Sequence, residues 1–162
     1  MSDVHDMSDR ELDMAVAEEV MGLRVAGWWP CFMDTANLMP EPRRFDIDDP
    51  FDWNGSREIR TEPDPWNARV SWMEPLLYVP CGPRGYLMHV PAYTTDARET
   101  ERVMALLVQK GHHLKGIHSP SATTVTVFLR QAGEDVSAVT AKHADWKRAV
   151  CEAALLAVRG AR

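Results

Sequence analysis

The segment from residue 26 to 66 constrains this chain most. It carries six prolines, at 30, 40, 42, 50, 63 and 65, and four tryptophans, at 28, 29, 53 and 66. Proline interrupts both helix and central strand, and neither a 3.6- nor a 2-residue apolar period persists here. The segment therefore reads as a long irregular insertion after the first helix. Chains that stay unfolded are poor in aromatics, so its four tryptophans predict that it is ordered in part, wrapping the domain or lining a cleft.

Around this insertion the pattern is regular. Ser8 and Glu11 make the S-x-x-E spacing of a capping box, and Leu12, Ala15, Val16 and Val20 form an apolar stripe. A helix is expected over about 9–21, ended near Gly22. LLYVP (76–80), a CGPRG turn and YLMHVP (86–91) read as a hairpin, with residues 70–72 extending its first strand. A second helix runs over about 96–110, stopped by Gly111. HHLKGIH (112–118) and TTVTVFLRQ (123–131) read as two more strands, joined by SPSA. A last helix is expected over about 138–158.

The order αββαββα implies an α+β fold in which one antiparallel four-stranded sheet is shielded by helices on both faces, a three-layer α/β/α sandwich. With 162 residues and 45% hydrophobic composition, the chain suits one domain spanning 1–162.

Charge and cysteine usage narrow the function. Asp and Glu number 24 against 18 Lys and Arg, a formal charge of −6, which disfavours sequence-independent binding to nucleic-acid phosphates. The N-terminus shows no secretory pattern and no run of 18 apolar residues occurs, so the expected location is the cytoplasm. Cys31, Cys81 and Cys151 are far apart and odd in number, as expected of reduced thiols.

No strong catalytic motif is present. P-loop, G-x-G-x-x-G and G-x-S-x-G patterns are absent. His112 and His113 point to opposite faces of a strand, and only one can share a face with His118. DIDDPFDW (46–53) lacks the spacing of a calcium loop. The reading is therefore without cofactor or metal.

Two candidate binding regions remain. In the insertion, Trp28, Trp29, Trp53 and Trp66 can stack on planar ligands, and Arg43, Arg44 and Arg57 can meet phosphate. In the second, Tyr93, Thr94, Thr95 and Asp96 open a helix, with Asp96 or Thr95 as its cap and the amides of the helix start as an alternative anion receptor. These point to a non-enzymatic binding protein whose partner is a host protein or a small nucleotide. The alternative is a hydrolase or metal-dependent enzyme using Asp96, His89 and Cys81, in which the last two face each other across the hairpin. TTVTVFL, if an exposed edge strand, would support a homo-oligomer.

Three blocks, RELDMAVAEEVMGL (10–23), PAYTTDARETERVMALL (91–107) and AVCEAALLAV (149–158), together resemble the phage ABA-sandwich family of small phage and prophage proteins. Ala17, Val20, Met21 and Gly22 match its A-x-x-V-M-G helix end, and Tyr93 to Asp96 match its Y-S-T-D turn, with Thr94 in place of serine. The resemblance implies a three-layer sandwich and a phage-encoded protein of the host cytoplasm, with a role in counter-defence as the expectation. It implies no catalytic residues.

Overall fold

The computed structural model describes residues 3–32, 45–47, 70–81, 84–131 and 134–160, with the backbone alone described at 30–32, 45–47, 70–72, 84, 130–131 and 134–136. The chain divides into two compact units, one formed by 1–22 with 91–162 and the other by 23–90.

In the first unit Ser8 caps α1 (Asp9–Ala15) through the expected box: Glu11 N donates to Ser8 Oγ at 3.3 Å, and Ser8 N donates to Glu11 Oε2 at 2.8 Å. The helix continues as one π turn over Val16–Val20, where Met21 N bonds Val16 O at 2.9 Å, and ends at Gly22 with φ +71°. Helix α2 (Ala97–Gln109) closes with a Schellman arrangement. His112 N bonds Leu107 O and Gly111 N bonds Val108 O, both at 2.9 Å, which needs the left-handed φ of +86° at Gly111. Its neighbour Lys110 then reaches Val20 O at 3.0 Å and satisfies a carbonyl at the end of the π turn.

Strands β5 (His113–His118), β6 (Thr123–Gln131) and β7 (Glu134–His143) form an antiparallel sheet with β6 in the middle. Period-2 alternation sorts its faces. Thr123, Val125 and Val127 on β6, with Ala141 opposite Val125, are buried. The helix α3 (Trp146–Gly160) contacts β6 and β7, α2, and α1 with its π turn. Its residues 149–155 are all buried, as a helix apolar on nearly every side must be. Alanines at 149, 153, 154 and 157 leave room for neighbours on several sides.

The second unit is a sheet of β1 (Arg24–Phe32), β3 (Val70–Cys81) and β4 (Arg84–His89), extended beyond β4 by the three-residue β2 (Phe45–Ile47), in the order β1-β3-β4-β2. Trp29, Leu76 and Leu87 form its buried cluster, flanked by Ala26 and Tyr78. Across the hairpin, the Tyr78 ring lies over Gly85, so that a Cβ at Gly85 would fall inside the ring.

These findings correct the expected sandwich. The two hairpins do not share one four-stranded sheet but belong to separate sheets, the first completed by β1 and β2 and the second by β7, strands the periodicity concealed. Residues 24–32, all but the first two of them assigned to the irregular insertion, pair with β3 as β1. Residues 134–143, partly assigned to the last helix, pair with β6 as β7, and α3 starts only at Trp146. Cross-strand pairing, available only once β6 is in place, overrides the helical preference of this alanine-containing stretch. TTVTVFL is likewise the central strand β6, paired on both sides, and offers no edge for self-association.

Gly85→Ala is expected to displace the Tyr78 ring and destabilise the fold by about 1–3 kcal/mol. Urea unfolding of the single and double variants checks this, with the penalty disappearing in a Tyr78→Ala background.

Candidate functional site

The three blocks that carry the family resemblance meet at one buried node in the first unit. Asp13 of α1 accepts a hydrogen bond from Thr94 N at 2.7 Å. The Tyr93 carbonyl accepts from Thr100 Oγ1 at 2.7 Å and from the Cys151 thiol at 3.3 Å. Tyr93 and Thr94 are almost fully buried, while Thr95 and Asp96 are exposed. Burial pushes the Asp13 carboxyl up to about 6, against the Thr94 amide and hydroxyl, which favour its charged form. The Thr94 hydroxyl lies beside that carboxyl but has no aligned hydrogen bond. Burial likewise raises the Tyr93 phenol and the Cys151 thiol, which keeps both protonated.

A second layer of charge surrounds this node. Glu152 on α3 is 2% exposed, yet it is doubly paired, with Arg148 Nε on Oε1 at 2.8 Å and His5 Nδ1 beside Oε2 at 3.0 Å. Arg148 also donates to the Asp9 carboxylate and to the Met7 carbonyl. One guanidinium thus joins α3 to the chain leading into α1. At the other end of α3, Arg159 pairs with Glu19, Nη2 to Oε1 being 2.7 Å.

The YTTD residues are consequently structural in their contacts. Asp96 caps α2 by accepting from Arg98 N at 2.8 Å, one residue earlier than a D-x-x-E box would use. Of the turn amides, that of Thr94 is already held by Asp13 and cannot receive an external anion.

The other predicted residues are dispersed. Trp29 is a core residue of the second unit, its ring edge-on to His89 at 6.4 Å, and Trp28, opposite Pro75, is half-buried. Arg43, Arg44, Trp53, Arg57 and Trp66 lie outside the described residues. His89 sits opposite Leu76, whereas Cys81 sits opposite Arg84. Five strand positions separate the two, on the order of 16 Å at 3.3 Å per residue, so they do not face each other. His89 Nδ1 instead lies 3.3 Å from Glu74 Oε2. Among the described residues, no three His, Cys, Asp or Glu side chains gather to hold a metal ion.

A different surface stands out by composition. On the sheet face opposite Val125 and Val127, three rows run across β5, β6 and β7: His113, Phe128 and Ala138; Lys115, Thr126 and Thr140; Ile117, Thr124 and Lys142. Phe128, Thr126 and Thr124 are half-buried and the other six exposed, Ile117 to 57%. The His113 and Phe128 rings are 5.9 Å apart, and the Thr126 and Thr140 hydroxyls are bonded at 3.1 Å. No acidic side chain belongs to this grid.

The sequence contains a signal for this face: between Glu101 and Glu134 there is no Asp or Glu, but there are Arg102, Lys110, Lys115 and Arg130. Whole-chain charge averages that run away, and only the register shows which of its side chains share a face.

No family model matches the chain, and neither does any curated protein or solved structure.

Two measurements probe the node. Asp13 titrates near 6 when folded and near 3.8 when unfolded, so the folded state binds the extra proton and its stability falls as pH rises across that window. Asp13→Asn is expected to keep the Thr94 amide bonded and to flatten the stability profile between pH 4 and 6. Arg148→Met, which leaves the buried Glu152 with His5 as its one remaining partner, is expected to cost about 3 kcal/mol, recovered in part by Glu152→Gln, as read by thermal or urea unfolding.

Proposed function

We propose that this chain is a non-enzymatic binding protein and that the open face of the β5–β6–β7 sheet is its contact surface for an anionic partner. One observation carries the reading. In a chain of net charge −6, the described side chains of these strands include Lys115 and Lys142 on that face and no carboxylate. Complementary charge raises encounter rates and rejects partners of the wrong sign. The groups of the YTTD node support the same reading from the other side, because they are engaged in joining backbone segments.

The family resemblance adds a setting to this proposal, a phage- or prophage-encoded protein that meets a host component in the host cytoplasm as a counter-defence factor. The sandwich architecture does not carry over. No helix among the described residues is long and apolar enough to cross a membrane.

Heparin, a polyanion without bases, tests the surface directly. Lys115→Glu is expected to elute from a heparin column at clearly lower salt than the parent, while Arg98→Glu, an equal charge change at an exposed position of α2, elutes close to it. Equal elution of the parent and Lys115→Glu would refute the assignment of the face.

A further inference from the structure

We infer that the occupant of this face is a single strand of nucleic acid, an inference that rests on the sheet face being the contact surface proposed above. Charge selects an anion, and the ring pair selects one with planar groups. His113 and Phe128 sit side by side at one end of the grid with their rings tilted by 51°, and the exposed Ala138 beside Phe128 carries only a methyl group. Bases stack on accessible rings, here the exposed His113 and the half-buried Phe128, with little regard to sequence.

The cations are placed to follow a backbone. Lys115 lies one row from the ring pair, and Lys142 lies a further row away on the opposite edge strand. Successive rows are separated by two residues of strand, roughly 6.6 Å, so the ring pair and Lys115 mark one side of the face and Lys142 the other, two rows on. Between them Thr124, Thr126 and Thr140 present hydroxyls able to bond phosphate or sugar oxygens. A mononucleotide would engage one end of this face and little else. An extended strand engages the rings and both lysines together.

The other occupants fit less well. A second copy of the chain placed face to face would set Lys115 and Lys142 against like charges. An acidic peptide would satisfy the lysines but give the ring pair no planar partner. Duplex nucleic acid buries its bases and leaves the rings nothing to stack on. The −6 charge of the chain opposes a long polyanion as a whole, so the site is expected to be short and its binding modest.

Fluorescence anisotropy of the full chain with a labelled 12-nucleotide oligothymidylate and an abasic 12-unit strand of equal charge tests the inference. The oligothymidylate is expected to bind about 10-fold or more tightly than the abasic strand, the scale of lost base stacking. Phe128→Leu, which keeps an apolar side chain in the sheet but removes the ring face, is expected to bring the two affinities together. Its melting curve, compared with the parent's, separates loss of binding from loss of fold, and Phe128→Trp is expected to keep the preference. Lys115→Glu with Lys142→Glu is expected to weaken both strands, and the parent's log K to fall with log salt at a slope near −1.4, for about two phosphates on a single strand.

Equal affinity for the two strands, or full competition by thymidine monophosphate at the oligomer's concentration, would overturn the inference while leaving an anion-binding face. Binding of polyglutamate but of neither strand would overturn it in favour of an acidic protein partner. Failure to bind the strands, polyglutamate and heparin alike would remove both the inference and the proposed surface.

Discussion

The burial of α3 is the constraint on which the first unit depends. A helix covered by β6 and β7, by α2 and by α1 with its π turn has almost no exposed side, and Glu152 lies in the middle of its buried run. A carboxylate there is tolerable only if its charge is met locally. Arg148, one turn earlier on the same helix, meets it, and its remaining donors reach Asp9 and Met7. The requirement to neutralise one buried acid thereby fixes where the N-terminal chain crosses α3. A fully apolar core would have left that crossing less specified.

The node around Tyr93 extends the same principle to backbone polar groups. The chain enters the first unit a second time at Pro91, through a turn whose Tyr93 and Thr94 are buried. Buried amides and carbonyls must find partners, and the Asp13 carboxylate, the Thr100 hydroxyl and the Cys151 thiol provide them. Reactive residue types gathered in one place resemble an active site, but here they are held protonated or bonded to main chain. The helical side of the unit is thus committed to structure, and the opposite face of the sheet is where side chains remain accessible.

Local signals were legible where the physics was local. The Ser8–Glu11 box, the Gly22 and Gly111 helix ends and the β5–β6 hairpin each depend on residues within a few positions and are found as their spacing implies, and Asp96 caps α2, though through Arg98 N. The strands β1 and β7 were not legible. Trp28, Trp29 and Pro30 give no alternation, and the alanines near 138 and 141 resemble the helix that follows, so pairing partners far along the chain decide both. Trp29, proposed as a stacking residue, became core because β1 places it opposite Glu74, beside Leu76 and Leu87.

By itself the sequence determined the first two helices, most of the third, the turns, the two hairpins and the acid-free run from 102 to 133, since propensity, capping and charge are properties of neighbouring residues. The tertiary structure alone decided that the hairpins lie in separate sheets and that His113, Lys115, Phe128 and Lys142 share one face. Strand register makes that decision, because a shift of one residue moves every side chain to the opposite face, and register is set by long-range pairing that no local pattern encodes.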